Sequence, residues 1–348
     1  MLDGKHLTLA IETSCDETSA ALMAEGRQVL SNVISSQIDI HKAFGGVVPE
    51  IASRHHLTNI NHVIKTALDE AGASIKEVDL IGVTKGPGLV GALLVGIATA
   101  KAFALSTGKP LVGVHHIKGH LSANYIAHPD LEPPFTALVV SGGHTELIRV
   151  SGYDSLEYIG GTRDDAAGEA YDKVARVLGL GYPGGPLIDA AAKKGDPHAI
   201  GFKRVYLEKD SYDFSFSGIK TGVLNHINTE KQAGRWQGSD QSKNIADIAA
   251  SFQQAVLEVI VAKSVKAAEE YNDNKETPKL VVAGGVAANS RLREMLDDAC
   301  GRRGIELFMP PPVLCTDNAA MIGCAAYYSA KAGKTDGLSL DAYADLSL

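Results

Sequence analysis

At 348 residues the chain is longer than one ordinary domain, and with 45% hydrophobic and 21% charged residues it has the composition of a globular protein able to bury real cores. Lys and Arg number 33 against 41 Asp and Glu, a formal charge of −8, which excludes a protein that holds nucleic acid by bulk positive charge but leaves room for a local basic patch or a basic partner. Cys15, Cys300, Cys315 and Cys324 form no C-x-x-C pair, so neither a disulfide framework nor a zinc ribbon is expected, and the expected setting is a reducing cytoplasm. The opening MLDGKHLTLAIETS has no signal-peptide pattern, and the longest apolar run, Leu89 to Ala100, is shorter than the about 20 residues of a membrane span. A buried, glycine-spaced helix is the reading for that run.

In chain order, Leu7 to Ile11 reads as a buried strand, Glu12-Thr13-Ser14-Cys15-Asp16-Glu17 as a polar turn, and Thr18 to Met23 as the returning strand. A long amphipathic helix follows over Pro49 to Ala71, with proline in its first turn. Leu80 to Thr84 is a strand, Leu89 to Leu105 a helix and Leu111 to Val114 a strand. The hairpin then recurs: Thr136 to Val140, the turn Ser141-Gly142-Gly143-His144, and Thr145 to Val150. Helices are expected near Gly168 to Leu178 and over Ile245 to Glu270, then a strand at Lys279 to Ala283, a helix from the Gly284-Gly285 turn to about Arg303, and a last helix over Thr316 to Ala330. Strands alternating with helices argue for an α/β architecture, and the repeated hairpin argues for two similar halves facing a cleft. The boundary falls near residues 125–135, where HPDLEPP breaks periodicity, giving lobes at 1–130 and 131–333. The last helix, about 316–332, is free to pack back on the first lobe, and the tail 334–348 is expected to be loosely held.

His115-His116-Ile117-Lys118-Gly119-His120 follows a strand and opens a helix. His116 and His120 stand four apart, so both imidazoles lie on one helix face and can share a metal; the alternative is two polar residues on a solvated face. Asp317 is a candidate third ligand, with an acid in the first turn of a helix as its alternative. Two His and one carboxylate leave coordination positions open, the pattern of a catalytic site. Ser141-Gly142-Gly143 lets backbone N–H groups approach an anion, or is simply a hairpin turn. The first turn stacks Glu12, Asp16 and Glu17 against small hydroxyls, suited to base or hydrogen-bonding work or to plain solvation. Gly284-Gly285-Val286-Ala287-Ala288-Asn289 has the strand-to-helix geometry on which a nucleotide packs, without being a G-x-G-x-x-G or P-loop motif. Tyr182-Pro183-Gly184-Gly185-Pro186 is a rigid turn, Asp189 lies one helical turn later, and Asp172 could receive a ribose or an ammonium. No G-x-S-x-G or H-E-x-x-H is present, and Cys15, beside two acids, is expected to have a raised pKa, against a thiolate nucleophile.

Seven stretches occur in order: Ile11 to Thr18, Gly86-Pro87-Gly88, His116 to His120, Ser141 to Glu146, Phe214 to Thr221, Gly284 to Asn289 and Thr316 to Met321. In this set the chain resembles, from about residue 8 to 330, the TsaD (Gcp/YgjD) family of tRNA N6-adenosine threonylcarbamoyltransferases, bacterial type. The resemblance implies the actin/sugar kinase/Hsp70-like (ASKHA) fold, with two RNase H-like halves around a central cleft. It implies one divalent metal per subunit, Fe(2+) with Zn or Mg as alternatives, held by residues matching His116, His120 and Asp317. It implies contacts to threonylcarbamoyl-AMP from Val139, Val140, Ser141, Gly142 and Gly143, and from Asp172, Gly185, Asp189 and Asn289. The activity implied is transfer of the threonylcarbamoyl group to N6 of the adenosine 3′ of the anticodon in tRNAs reading ANN codons. TsaB and TsaE are the implied partners, TsaC or its relative the implied source of the donor, and the cytoplasm the implied location, with no membrane.

The proton acceptor for the amine is left between Glu12 and Asp16. The metal ligands are expected to converge with Asp317 arriving from the opposite lobe. Lys203, Arg204 and Lys220 are candidates for a local basic patch, or a solvated face. Two rivals remain: a small-molecule kinase of the same fold, from which the His-x-x-x-His pair distinguishes this chain, and a non-catalytic scaffold subunit.

Overall fold

The computed structural model describes residues 4–236, 238–272 and 277–348, with backbone alone at 238–240. The chain divides into two compact units: Met1–Pro133 with Ser151–Leu156 and Met309–Leu348, and Pro134–Val150 with Glu157–Phe308.

In the first unit, β1 (Leu7–Glu12) and β2 (Glu17–Ala24) form the expected hairpin, and β3 (Gln28–Ser36), β4 (Leu80–Gly86) and β5 (Leu111–His115) complete a sheet of order β3-β2-β1-β4-β5. β1 runs antiparallel to β2 and parallel to β4. Every residue of β1 and β2 is buried, because both faces of the sheet are covered. Side chains alternate with the period of two. Leu9, Ile11, Leu22, Ile81 and Val83 meet Ile60, Val63 and Ile64 of α2 (Pro49–Ala71) and Leu93 and Ile97 of α3 (Val90–Thr107). On the other face Ala10, Ala21, Met23 and Val112 meet Ala320, Met321, Ile322 and Ala326 of the last helix, Ala319–Lys331. That helix approaches the sheet closely because the contacting residues are small: a Cβ on Gly323 would lie 2.7 Å from Met23 Cγ.

α3 extends past the apolar run recognised in the sequence, since buried Ala104 continues its inner face beyond Lys101. By length and composition alone Val90–Thr107 and Gln241–Glu270 both reach what a bilayer span requires; of the most apolar 18 residues of the latter 78% are buried inside the protein, as in a core helix, against 33% in the former, which buries one face only. The strand β3 and the short α1 (Ile38–Lys42) were not expected; β3 is an edge strand with a mixed burial pattern and no clean alternation.

The tail departs from expectation. It is laced onto β4 and β5: Asp336 N–H donates to Leu111 O, Gly113 N–H to Asp336 Oδ2, Tyr343 N–H to Lys85 O, and Gly88 N–H to Ala344 O. Leu340 is 7% exposed and joins the core. A Gly/Ser/Asp-rich composition suggests looseness only until the backbone groups find partners on a sheet edge.

The second unit repeats the plan. β6 (Phe135–Val140), β7 (Thr145–Gly152), β8 (Ser155–Gly161), β9 (Lys279–Ala283) and β10 (Glu306–Phe308) form a sheet of order β10-β9-β6-β7-β8, the same succession as the first sheet. β6 is antiparallel to β7 and parallel to β9. This is the actin/sugar kinase/Hsp70-like architecture that the family resemblance implied, and it contains the two similar halves read from the repeated hairpin.

Candidate metal centre and glycine-lined turns

β5 runs straight into α4 (His116–Ala127). His115 caps it: its Nδ1 accepts from Ile117 N–H at 3.2 Å, and its Nε2 donates to Leu346 O at 2.9 Å, since a carbonyl can only accept. Burial pushes the His115 imidazole down to about 4, so the cap stays neutral. One turn apart on the same face, the His116 and His120 rings lie 4.6 Å between centroids at 78°. Asp317 comes from the segment before the last helix, α10 (Ala319–Lys331). Asn318 takes the N-cap, accepting from Met321 N–H at 3.1 Å, so Asp317 stands outside the helix and its carboxylate is turned to the histidines. Asp317 Oδ1 is 3.2 Å from His120 Nε2 and 3.5 Å from His116 Nε2, and the three candidate ligand atoms all lie within 4.8 Å of one another. All three residues belong to the first unit, so Asp317 arrives with the helix packed back on that unit and not from the opposite lobe.

The cluster fits a metal. Ligand bonds of about 2.0–2.1 Å in a tetrahedral shell put neighbouring donor atoms about 3.3 Å apart. His120 is 2% exposed, yet neither ring nitrogen has a hydrogen-bond partner; the approach to Asp317 lacks hydrogen-bond alignment. A buried imidazole with both nitrogens unsatisfied is costly unless an ion takes one of them.

Behind His116 stands Glu12, the last residue of β1 and 0% exposed. It accepts from Ser14 N–H and Thr84 Oγ1–H, and its Oε2 lies 3.5 Å from His116 Nδ1; Ser14 Oγ is 3.2 Å from the same nitrogen. Burial alone would depress the His116 imidazole, but Asp317 and Glu12 outweigh it and raise it to about 9. Asp16 is raised by burial and then by Asp317, and Glu17 by burial and Asp16 to about 8. Burial, then Asp16, pushes the Cys15 thiol well up, so no thiolate forms there. His56 of α2 braces the turn: its Nε2 donates to Cys15 O at 3.0 Å and its Nδ1 accepts from Thr18 Oγ1 at 2.8 Å. Sequence reasoning singled out neither His56, Ser14 nor Thr84 as individual contributors; only the small-hydroxyl character of the first turn hinted at Ser14.

The second unit holds the other candidates. Ser141-Gly142-Gly143-His144 joins β6 to β7 and is closed by Ser141 N–H to His144 O at 2.8 Å and His144 N–H to Ser141 Oγ at 3.1 Å. A Cβ on Gly142 or Gly143 would meet nothing within 4 Å, so their backbones are open. Val139 and Val140 are fully buried within the sheet, main chain as well as side chain, so the exposed part of this stretch begins after them. Gly284 follows β9 with φ 92° and a notional Cβ 2.4 Å from Val140 O, a position for glycine alone. Asp172, on α5 (Ala167–Val177), accepts from Gly184 N–H at 2.7 Å, fixing the start of α6 (Gly184–Ala192), where Gly185 is open. Asp189 of α6 accepts from Ser290 Oγ at 2.8 and 3.0 Å and pairs with Lys193 at 3.4 Å. Asn289 caps α9 (Ser290–Arg303), its Oδ1 accepting from Leu292 N–H at 2.9 Å. Asp189 and Ser290 line a cavity of about 200 Å³ with Gln253 and Arg291. Of the candidate basic patch, Arg204 is committed to Glu258 through two hydrogen bonds, at 2.6 and 3.2 Å.

The family profile described as TsaD, tRNA N6-adenosine threonylcarbamoyltransferase, matches residues 28–324. A protein of Clostridium beijerinckii named tRNA N6-adenosine threonylcarbamoyltransferase is 56% identical over 344 residues, covering 99% of this chain and 98% of that one. One of the same name from Clostridioides difficile is 54% identical, covering 98% of each. Among solved structures, component A of the (R)-2-hydroxyglutaryl-CoA dehydratase of Acidaminococcus fermentans aligns with a TM-score of 0.51 at 16% identity, over 94% of this chain and 100% of that one. HypF of T. kodakarensis aligns with a TM-score of 0.61 at 14% identity, over 94% of this chain and 48% of that one. Identities this low speak for the fold alone.

Proposed function

The chain belongs to the TsaD family of tRNA N6-adenosine threonylcarbamoyltransferases and is a transferase; from that premise we propose that it moves the threonylcarbamoyl group of threonylcarbamoyl-AMP to N6 of the adenosine 3′ of the anticodon in tRNAs reading ANN codons. The N6 nitrogen attacks the carbonyl carbon of the mixed anhydride, the bond from that carbon to the phosphate oxygen breaks, and AMP leaves with the electron pair. An exocyclic amine is a weak nucleophile, so the donor must be both activated and oriented. A divalent ion on His116, His120 and Asp317, Fe(2+) in this reading with Zn or Mg as alternatives, supplies a Lewis acid when bound.

The chain's own residues do the rest. Glu12 and Ser14 hold His116 with its Nε2 toward Asp317. In this reading Glu12, enclosed and engaged with Ser14 and Thr84, holds His116, and of the two candidate bases Asp16, in the same turn, takes the amine proton. The open Gly142 and Gly143 amides receive the anionic phosphate, and Asp189 and Asn289 the nucleoside. The acceptor base leaves the anticodon-loop stack to react, a smaller cost in a loop than in a duplex. TsaB and TsaE act as partners, TsaC or its relative makes the donor, and the reaction takes place in the cytoplasm.

The observation that carries this reading is the convergence of His116, His120 and Asp317 at 3.2–3.5 Å in a chain matched to the family over residues 28–324. The test combines the protein with those partners, threonine, bicarbonate, ATP and unmodified tRNA, followed by nucleoside mass analysis. N6-threonylcarbamoyladenosine is expected, and is lost with His116→Ala. No product from the complete mixture, or phosphorylation of small polyols instead, overturns the reading.

A further inference from the structure

Gln253, in the middle of α8 (Gly238–Glu270), is only 4% exposed and belongs to no motif recognised in the sequence. Its carboxamide stands between residues from three other elements. Oε1 accepts from Asn289 Nδ2 at 2.8 Å and from the Tyr171 hydroxyl of α5 at 3.4 Å. Nε2 donates to Asp189 Oδ1 at 3.3 Å. The orientation of the amide follows from its neighbours. Asn289 Oδ1 accepts from Leu292 N–H as the helix cap, so Asn289 presents its NH₂ to Gln253. Gln253 must therefore turn its oxygen to Asn289, and its own NH₂ falls to the Asp189 carboxylate. A side chain that both donates and accepts is needed at this point; neither a carboxylate nor an apolar residue satisfies all three neighbours at once.

We infer that Gln253 is a positioning residue for the nucleotide end of the donor. It holds the Asp189 carboxylate and the Asn289 amide in one fixed arrangement beside the cavity that Asp189, Gln253 and Ser290 line. The inference rests on the reading of Asp189 and Asn289 as nucleoside-binding residues. Gln253 acts through those two side chains; the reacting atoms lie elsewhere.

The experiment uses the full chain and AMP as the probe, with calorimetric titration of the native protein, Gln253→Glu and Gln253→Met at pH 8 and pH 5.5. Gln253→Glu sets a second carboxylate against Asp189, with Lys193, the Tyr171 hydroxyl and the Arg291–Glu294 pair as the other ionisable groups around it. At pH 8 AMP binding by this variant is expected to be about tenfold weaker than native. At pH 5.5, where the two carboxyls can share a proton, the ratio of variant to native affinity recovers most of the way. Gln253→Met is weaker by a similar factor at both pH values. A merely structural role lowers the thermal midpoint and leaves the folded variants binding AMP like the native protein, which overturns the inference; so does a Gln253→Glu ratio that does not change with pH. Should Gln253→Met fail to fold, the pH-dependent ratio of Gln253→Glu decides alone. Native protein that does not bind AMP refutes the nucleotide reading and the inference together, whereas native binding with unaffected variants refutes the inference only.

Discussion

The geometry of the candidate metal ligands depends on how closely α4 and α10 approach, and Gly119 tests that dependence. It sits between His116 and His120, and a Cβ there would lie 2.6 Å from Ile322 Cδ1 and 3.4 Å from Met321 Cγ. Carbon atoms in contact prefer about 3.5–4.0 Å, so the first overlap is roughly 1 Å. Gly119→Ala meets only the tip of a branched chain that can turn aside, and alanine favours the helix by about 0.5–1 kcal/mol over glycine. Stability within about 1 kcal/mol of native is expected, with zinc affinity little changed. Gly119→Val adds two branches that cannot both avoid Ile322 and Met321. It should cost about 1–3 kcal/mol as overpacking. The separation it forces between the helices, on the order of 1 Å, exceeds the about 0.2 Å tolerance of metal–ligand distances. Since Asp317 immediately precedes the α10 cap and both histidines ride on α4, zinc affinity should fall at least about tenfold. Guanidinium melts of metal-free protein give the first quantity, and zinc titration against a chromophoric chelator the second. A valine variant that loses stability yet binds zinc like the native protein would show that the α4–α10 approach does not set the ligand geometry.

Asp317→Asn should abolish tight metal binding, seen as metal-to-protein ratio after dialysis. It should also bring the His116 imidazole down toward its ordinary value, read by NMR titration of metal-free protein, because Asp317 is its main raising influence. In metal-free protein His116 is raised to about 9, so its contribution to stability is fully present below the ordinary histidine value of about 6.5 and disappears as pH rises through 9. The metal must displace that proton: at pH 7.5 zinc binding should release about one proton, counted by calorimetry in two buffers of different ionisation enthalpy, and affinity should climb with pH from 6.5 to 9. Leu340→Ala removes a buried tail side chain from the first core and should cost about 2–4 kcal/mol in denaturant melts; a change under 0.5 kcal/mol would mean that the tail is held by its backbone bonds alone.

Periodicity carried the buried strands and long helices because each is specified by its own residues. The helix over Pro49–Ala71 has a proline at its start and Gly72 at its end with φ 64°, both visible in the chain. The elements that escaped were those whose burial is decided elsewhere. β3 lies at a sheet edge with mixed exposure, β10 is three residues long, and the tail takes its order from unpaired groups on β4 and β5. No local pattern announces such a partner.

The site shows the same division at the level of single side chains. Spacing alone put His116 and His120 on one face, since four residues make about one helical turn. It could not separate cap from ligand at Asp317, because that depends on the next residue: Asn318 takes the cap, and Asp317 is thereby released to face the histidines. Nor could it divide labour within the first turn. Glu12 and Asp16 are chemically alike in the sequence. One is enclosed by Ser14, Thr84 (72 residues away) and His116, while the other keeps a carboxyl raised by burial and by Asp317. Roles that identical functional groups acquire from distant neighbours can be read only once those neighbours are in place. In the proposed reaction this difference is what gives the carboxylate behind the histidine an orienting part and leaves the one beside it to accept the proton.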